Sequence, residues 1–281
     1  MADKTAIITG GARGMGLATA KIMAGDHHIV LTDVDGEALA SAVAEIESDG
    51  GTAEYVVADI TDRTEVDAVF AAGTKAGGLR AVVHAAGVSP RMGSAEKIIE
   101  INAVGTINVV EAALAVADEG FAVVNVASIA AVMVPGFMIP KRAFRYARTD
   151  LDKFREKLVA ASNRTGKKVA PKQAYPISKA FVIWYSAEMA AAFGASGARI
   201  LSVSPGSFDT EMGRLEESGG SGQLTQFAAL KRFGRPEEIA ELLAFCASTK
   251  PGYLTGVDIL CDGGTKAGMG LKEMITLARG A

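Results

Sequence analysis

A tyrosine and a lysine four positions apart are the first side chains in this sequence whose types and spacing could do chemistry. Tyr175 and Lys179 belong to the run YPISK, residues 175–179, which opens a predicted helix. Because residues four apart on a helix share one face, the ammonium of Lys179 can approach the phenol. A free tyrosine has a pKa of about 10, and a neighbouring positive charge lowers it. The pair therefore predicts a general acid and base for proton transfer.

A glycine cluster near the N-terminus has the character of a phosphate-binding turn. Gly10, Gly14 and Gly16 lie in the run TGGARGMG, residues 9–16, between a predicted strand and a predicted helix. Gly10 permits a tight turn, Gly14 lets the backbone approach phosphates, and Gly16 allows close packing of a helix whose N-terminus attracts anions. The spacing is G-x-x-x-G-x-G rather than G-x-G-x-x-G. We predict a dinucleotide-binding turn, with an ordinary structural turn as the alternative.

Asp33 and Arg13 favour different dinucleotides: Asp33 favours NAD, whereas Arg13 could favour NADP. Asp33 ends the second predicted strand, 23 positions beyond Gly10, where a carboxylate can accept hydrogen bonds from an adenosine ribose. The same carboxylate repels a 2′-phosphate. Arg13, inside the glycine turn, could partner such a phosphate or could be a solvated surface residue. Because the repulsion from Asp33 weighs more, we predict NAD as the cofactor.

Short apolar runs alternate with helix-like stretches along the chain. Nearly continuous apolar runs are typical of strands buried on both faces of a parallel sheet. The candidate strands are residues 6–8, 28–32, 55–58, 81–84, 122–126, 199–203 and 256–260. Since no linker or repeat divides residues 1–281, we predict a single α/β domain. It is a Rossmann fold with a doubly wound parallel sheet of about seven strands.

Composition and charge argue against several classes of protein. The chain has 281 residues, 49% apolar and 22% charged, with a net charge of -3. Since like charges form no block, we predict no nucleic-acid partner and a small, uncharged or weakly polar substrate. Cys246 and Cys261 lack metal-ligand spacing, so no metal site is predicted. The sequence shows no signal-peptide pattern or membrane span, so we expect a cytoplasmic protein with no membrane partner.

The order of the motifs resembles the short-chain dehydrogenase/reductase family along nearly the whole chain. Beyond the glycine turn, Asp33 and the Tyr175 and Lys179 pair, several further motifs match. They are Asp59 with Ile60 after the third strand, Asn102 in the run NAVG, Ser128 after the fifth strand, Pro205 with Gly206, and the run DGG at 262–264. The resemblance implies an oxidoreductase that moves a hydride between a nicotinamide cofactor and a carbonyl or alcohol.

The resemblance also implies roles for individual residues. Ser128 hydrogen-bonds the substrate oxygen and Tyr175 exchanges the proton. Lys179 lowers the tyrosine pKa and binds the nicotinamide ribose, and Asn102 holds a water that links Lys179 to solvent. Thr210 matches the position that binds the nicotinamide carboxamide. The predicted cofactor-binding residues are Gly10, Arg13, Gly14, Met15, Gly16, Asp33, Asp59, Ile60, Ala86, Gly87, Tyr175, Lys179, Pro205, Gly206, Phe208 and Thr210.

The chain departs from the family pattern at three places. The run HAAG at 84–87 replaces the usual Asn-Asn-Ala-Gly, and His84 could be a catalytic base, although a core histidine is the favoured interpretation. Phe208 stands where a smaller aliphatic residue is usual. Ser128 and Tyr175 are 47 positions apart, whereas about a dozen is usual and structureless loops beyond ~15 residues are uncommon.

The extra residues between Ser128 and Tyr175 predict a helical insertion at about 135–172. Residues 149–159 have helical spacing, with Thr149 or Asp150 as the N-cap. An apolar run could line the substrate site or only pack the insertion onto the domain; it comprises Met133, Val134, Phe137, Met138 and Ile139. If it lines the site, the substrate is a small hydrophobic alcohol or ketone. Residues 214–226 match the position of a mobile lid.

Two other functions remain open at the level of the sequence. A catalytically silent dinucleotide-sensing protein would keep the fold and lose Ser128, Tyr175 or Lys179, all of which are present. An epimerase or dehydratase would use the cofactor differently, and such enzymes usually carry an extra substrate domain. We also predict a homodimer or homotetramer, because family members commonly pair through the helices that follow the fourth and fifth strands. The insertion could extend or obstruct that contact.

Overall fold

The fold is built on one parallel β-sheet. The structure is a computed structural model and describes residues 4–216 and 224–270. The sheet order is β3-β2-β1-β4-β5-β6-β7, and all neighbouring strands run parallel. The strands are β1 (Thr5–Thr9), β2 (His28–Asp33), β3 (Thr52–Val57), β4 (Leu79–His84), β5 (Ala122–Val126), β6 (Arg199–Pro205) and β7 (Asp258–Cys261). The prediction of a doubly wound sheet of seven strands is confirmed.

Helices connect the strands and cover both faces of the sheet. The helices along the first half of the chain are α1 (Gly14–Met23), α2 (Gly36–Ser48), α3 (Arg63–Ala76), α4 (Ala95–Ile99) and α5 (Gly105–Val116). The remaining described helices are α6 (Ile129–Met133), α7 (Lys141–Phe144), α8 (Leu151–Ser162), α9 (Ala170–Gly194), α10 (Glu211–Glu216), α11 (Pro236–Ala247) and α12 (Thr265–Gly268). Strands β1, β5 and β6 are buried along their whole length, as their continuous apolar runs predict.

The strand order places a crevice beside the carboxyl ends of β1 and β4. The chain runs outward from β1 to β3, then returns to β4 on the other side of β1. Two crossovers therefore leave in opposite directions at this point, and their connections separate above the sheet. Gly10 follows β1, Ala86 and Gly87 follow β4, and Ser128 follows β5. The predicted site residues thus come to one edge of the sheet.

The helix that carries Tyr175 begins earlier than the sequence predicts. Helix α9 begins at Ala170, so Tyr175 is its sixth residue and the last three residues of the predicted insertion belong to this helix. Proline suits the first turn of a helix because its missing N–H has no partner there. The sequence offers Pro171 and Pro176. The predicted start at Tyr175 would put Pro176 in the first turn, whereas the helix begins at Ala170 with Pro171 in its first turn.

The segment 135–172 is helical, as predicted, and packs against the Tyr175 helix. Helix α8 begins after Asp150, whose side chain accepts a hydrogen bond from the Lys153 backbone N–H. Asp150 rather than Thr149 is therefore the N-cap. Phe154 and Leu158 are fully buried, and α8 lies against α4 and α9.

One apolar stretch of the described residues, Ala95–Val116, is long and hydrophobic enough to span a membrane. It comprises α4, a π-helical turn (Glu100–Val104) and α5. Because 72% of its most apolar window is buried inside the protein, its hydrophobicity is explained by the core.

Candidate active site

A cavity of about 1550 Å³ runs along the carboxyl edge of the sheet. The glycine turn lines one part of it, and Ser128, Tyr175 and Lys179 line another. Of the predicted cofactor-binding and catalytic residues, all except the buried Asn102 line this cavity. The structure therefore brings together residues that span some 200 positions of the chain.

The glycine turn fits a dinucleotide phosphate group. Gly10 and Gly14 have φ angles of 64° and 58°, a region that side-chain-bearing residues rarely adopt. A Cβ at Gly10 would lie 2.7 Å from the Ala86 nitrogen, so the turn approaches the β4 loop as closely as backbone can. The turn leads into the first N–H groups of α1, which are free for an anion.

The guanidinium of Arg13 is held by carboxylates. It forms an ion pair with Asp35, the N-cap of α2, and a second with Glu211 at 3.2 Å. These hydrogen bonds raise the pKa of Arg13. Arg13 therefore joins the glycine turn to both α2 and α10, a role that the sequence interpretation of a solvated arginine missed.

The residues predicted to face the adenosine lie at the ends of β2 and β3. Asp33 is partly buried, and one carboxylate oxygen accepts a 2.8 Å hydrogen bond from the Val34 N–H. Asp59 accepts hydrogen bonds from the backbone and hydroxyl of Thr61, so its carboxylate shapes the turn. Ile60 is buried beneath it.

Ser128 and Tyr175 form the centre of the catalytic constellation. Ser128 caps α6, where its hydroxyl oxygen accepts a hydrogen bond from the Ala130 N–H. Both hydroxyl-bearing side chains line the cavity, and the Ser128 hydroxyl lowers the pKa of Tyr175. A carbonyl or hydroxyl oxygen between two such donors could be polarised and could exchange a proton.

Lys179 is buried in the same region. Its ammonium donates a 2.8 Å hydrogen bond to the Val126 carbonyl at the end of β5, and burial lowers the pKa of Lys179 to about 8. A Cβ at Gly87 would lie 3.2 Å from the Lys179 Nζ. The glycine after β4 therefore leaves room for this ammonium.

The predicted effect of Lys179 on Tyr175 is not what the structure shows. Burial raises the pKa of Tyr175 above 10.0, the Ser128 hydroxyl lowers it, and the charge of Glu216 raises it. Lys179 is not among these causes; its ammonium donates to the Val126 carbonyl. In the protein as described, desolvation outweighs the stabilisation of the phenolate, so the prediction of a lowered pKa is wrong here.

The side chain of Asn102 organises the neighbouring backbone. It lies in the π-helical turn between α4 and α5, accepts a hydrogen bond from the Val88 N–H, and donates to the Val88 carbonyl and the Ser178 hydroxyl. It thereby connects the β4 loop to the Tyr175 helix. The water contact that the resemblance implies stays a prediction.

His84 is a core residue, as the favoured interpretation predicts. The Ala86 N–H donates to the Thr9 hydroxyl, and His84 lies between the hydroxyls of Thr9, at 2.7 Å, and Thr106, at 3.0 Å. Since the Thr106 hydroxyl donates to the Asn102 carbonyl, it accepts from the His84 Nε2–H, and the Nδ1 accepts from Thr9. Burial, and then the charge of Lys179, lowers the pKa of His84 to about 3, so the ring is neutral.

The segment after β6 closes the cavity opposite the glycine turn. The Thr210 side chain lies 3.7 Å from where a Cβ of Gly14 would stand. Phe208 is buried, and its ring occupies the space in which a side chain at Gly234 would lie. Gly234 thus explains how the larger residue fits. The predicted lid continues beyond α10 into residues 217–223, which lie outside the described residues.

The apolar run after Ser128 divides between cavity, core and surface. Met133, Val134 and Met138 line the cavity. Ile139 belongs to the core, and Phe137 is 89% exposed. Of the two interpretations that the sequence leaves open, lining the site holds for Met133, Val134 and Met138 and packing holds for Ile139, whereas Phe137 does neither. A 3₁₀ turn (Gly136–Met138) points Phe137 outward.

Sequence reasoning missed several residues at this site. Asp35 and Glu211 hold Arg13, and Glu216 accepts a 2.7 Å hydrogen bond from the Ser89 hydroxyl. These contacts join positions 22 to 198 residues apart, so no local pattern predicts them. Within residues 4–216 and 224–270, no group of three or more His, Cys, Asp or Glu side chains could hold a metal ion.

The fold and site together define a nucleotide-binding oxidoreductase, and comparison with known proteins identifies the family. A family model described as short chain dehydrogenase matches residues 4–140, and one described as Enoyl-(Acyl carrier protein) reductase matches residues 141–266. The chain belongs to the short-chain dehydrogenase family. Members of this family are oxidoreductases, and their fold binds a nicotinamide dinucleotide.

Relatives and solved structures cover nearly the whole chain. The chain is 30% identical to a trans-4-hydroxycyclohexanecarboxylate dehydrogenase of Sinomonas cyclohexanicum, over 97% of this chain and 96% of the relative. It is 28% identical to a 2,5-dichloro-2,5-cyclohexadiene-1,4-diol dehydrogenase of Sphingobium indicum, over 96% and 98%. A short chain dehydrogenase from Burkholderia cenocepacia, solved with NADP, has a TM-score of 0.75 and 25% identity, over 94% and 98%.

Proposed function

We propose that the chain transfers a hydride between NAD(H) and an apolar secondary alcohol or ketone, with Tyr175 as the general acid and base. The observation that carries this proposal is that Ser128, Tyr175 and Lys179 line one cavity together with the glycine turn. When bound, the nicotinamide supplies or accepts the hydride. A silent dinucleotide sensor would not need the hydroxyls of Ser128 and Tyr175.

Each catalytic residue has a distinct task in this proposal. Ser128 donates to the substrate oxygen and holds it near the Tyr175 hydroxyl. Tyr175 donates its proton to that oxygen during reduction and accepts it during oxidation. Lys179 has a pKa of about 8, so its side chain can gain or lose a proton near neutrality. It can therefore replace the proton that Tyr175 gives up in reduction and take up the proton that Tyr175 accepts in oxidation.

The preference for NAD rests on the charges at the adenosine end. A 2′-phosphate would face the carboxylate of Asp33, while Arg13 is already engaged by Asp35 and Glu211. We therefore expect NAD to bind at least about tenfold more tightly than NADP, a difference of about 1.4 kcal/mol. Calorimetric titration of both dinucleotides tests this. Equal dissociation constants for NAD and NADP would contradict the predicted preference. Asp33→Asn should reduce the difference between the two dissociation constants, because it removes the charge that repels the 2′-phosphate.

The apolar substrate rests on the cavity wall and on the relatives. Met133, Val134 and Met138 line the cavity with adaptable apolar surface. The two dehydrogenases described above are named for alicyclic alcohols, so cyclic secondary alcohols are the first substrates to test. NADH formation across a panel of cyclic and open-chain secondary alcohols is the expected result. Turnover of none of them, in either direction, would contradict the proposed reaction.

We also propose that residues 135–172 are an insertion relative to typical members of the family. The segment contributes Met138, Lys168 and Lys172 to the cavity, so it would adapt the common site to this protein's own substrate. Replacing its cavity-lining side chains, by Met138→Ala, Lys168→Ala and Lys172→Ala, should alter the range of substrates while leaving the binding of NAD unchanged.

A further inference from the structure

Exposed lysines line the part of the cavity that α4 and α9 form. Besides Lys179, three lysines line the cavity: Lys97 in α4, Lys168 just before α9, and Lys172 in its first turn. Tyr175 is three residues beyond Lys172 in α9, and α4 packs against α9, so these three lysines belong to the substrate end. The carboxylates of Asp33, Asp35 and Asp59 lie at or just after the ends of β2 and β3, where Arg13 pairs with Asp35.

The three lysines have no internal partner among the described residues. None forms an ion pair with a carboxylate in that part of the chain, although thirteen pairs between a Lys or Arg and a carboxylate occur there. Glu216, a carboxylate among the described residues that line this end, already accepts hydrogen bonds from the Ser89 hydroxyl and the Arg91 backbone N–H. All three lysines are exposed, so their ammonium groups can reach a ligand without first breaking a contact.

The surrounding segment strengthens this local positive potential. Residues 135–172 contain eleven Lys and Arg against three Asp and Glu, although the whole chain has a net charge of -3. A cleft lined by one sign of charge concentrates ions of the opposite sign. The same cleft has an apolar wall of Met133, Val134 and Met138. A ligand that matches both features has an apolar body and an anionic group.

We propose that the substrate carries a carboxylate, and that Lys97, Lys168 and Lys172 determine specificity by binding it. This inference rests on the proposed function, because it places the reacting carbon at Tyr175 and the anion at the lysines. It replaces the expectation of an uncharged substrate, which the near-neutral charge of the whole chain suggested. Exposed ion pairs are individually weak and screened by salt, so the three lysines act together.

Direct binding tests this inference without requiring turnover. The protein, saturated with NADH, is titrated calorimetrically with octanoate against octanamide and with cyclohexanecarboxylate against its amide. We expect each carboxylate to bind about tenfold more tightly than its amide, which corresponds to about 1.4 kcal/mol. Raising the salt concentration should reduce this ratio.

A lysine outside the cavity provides the matched control. The triple variant Lys97→Gln, Lys168→Gln, Lys172→Gln should lose the preference for carboxylates, whereas Lys167→Gln, in the same basic run but not lining the cavity, should keep it. Equal affinity for acid and amide, no binding of either, or loss of the preference in Lys167→Gln would overturn the inference. Turnover of neutral secondary alcohols would still support the proposed reaction, so the two failures are distinguishable.

Discussion

At the scale of residues, side chains far apart in the sequence fix the state of the site. Ala86, Thr9, His84 and Thr106 form a chain of hydrogen bonds that ends at the Asn102 carbonyl. The chain ties the glycine turn to the loop after β4 and to the turn that holds Asn102. The position of His84 at the end of a strand predicts that it is buried. Its two threonine partners belong to other elements, so the pattern of the strand does not predict them.

Because His84 is buried as a neutral ring, it should make the protein sensitive to acid. The unfolded chain binds a proton at His84 below a pKa of about 6.5, whereas the folded protein does so only near a pKa of about 3. Stability is therefore lost as the pH falls below about 6.5, by about 2 kcal/mol at about pH 5. His84→Gln, which can keep both hydroxyl contacts, should remove this loss in urea denaturation. Equal acid sensitivity of the two proteins would contradict the assignment.

The charge of Glu216 should influence the titration of Tyr175. This carboxylate raises the pKa of the phenol in the free protein, so Glu216→Gln should shift ionisation of Tyr175 to lower pH. The measurement is the ultraviolet difference titration of each protein against its own Tyr175→Phe derivative. Glu237→Gln, an exposed change in α11, serves as the control. An unchanged Tyr175 midpoint in Glu216→Gln would show that the carboxylate does not act on the phenol.

At the scale of elements, periodicity predicts the strands and α8 well and predicts helix starts less well. Continuous apolar runs identify β1, β5 and β6 because both faces of these strands are buried. The start of α9 is ambiguous because either Pro171 or Pro176 suits a first turn, and only packing distinguishes them. The exposure of Phe137 could not be predicted either, because the 3₁₀ turn that directs it outward has no periodic signature.

Helix α8 should be an integral part of the domain. Phe154 is fully buried and its ring lies 4.7 Å from that of Phe181 in α9, and Arg155 forms two hydrogen bonds with the Glu100 carboxylate. Phe154→Ala should reduce the free energy of unfolding by about 3–5 kcal/mol. The exposed change Lys157→Ala should alter it by less than about 0.5 kcal/mol. A loss below about 1 kcal/mol for Phe154→Ala, measured by urea denaturation, would show that α8 is only loosely attached.

At the scale of the whole molecule, the segment 135–172 bears on the predicted homo-oligomer. Pairing through the helices after β4 and β5 requires exposed faces on α4, α5 and α9. Helix α8 lies against α4 and α9, and the turn between α4 and α5 is largely buried. Large exposed apolar side chains occur around β7 and α11, including Phe245, Tyr253 and Leu260, and also elsewhere, among them Val116 at the end of α5 and Tyr55 in β3. We therefore expect copies to meet beside β7.

The predicted assembly can be tested with substitutions on the two surfaces. The double variant Phe245→Glu, Tyr253→Glu should dissociate the dimer or tetramer, because it places charges in the expected contact. Val116→Glu, at the exposed end of α5, should leave the assembly intact. Light scattering at micromolar concentration distinguishes the species. A monomeric parent protein, or dissociation by Val116→Glu alone, would contradict this prediction.

The central claim, that Tyr175 carries the proton of a hydride-transfer reaction, is tested most directly by Tyr175→Phe. Phenylalanine keeps the aromatic ring and its packing but removes the hydroxyl that the proposed reaction needs in the cavity beside Ser128. Turnover of the best alcohol in the panel is compared with calorimetric binding of NAD to the same variant. We expect turnover to fall by at least about 10²–10⁴-fold while the dissociation constant for NAD changes by less than about twofold. Wild-type turnover by Tyr175→Phe would mean that another group moves the proton, and would contradict the claim.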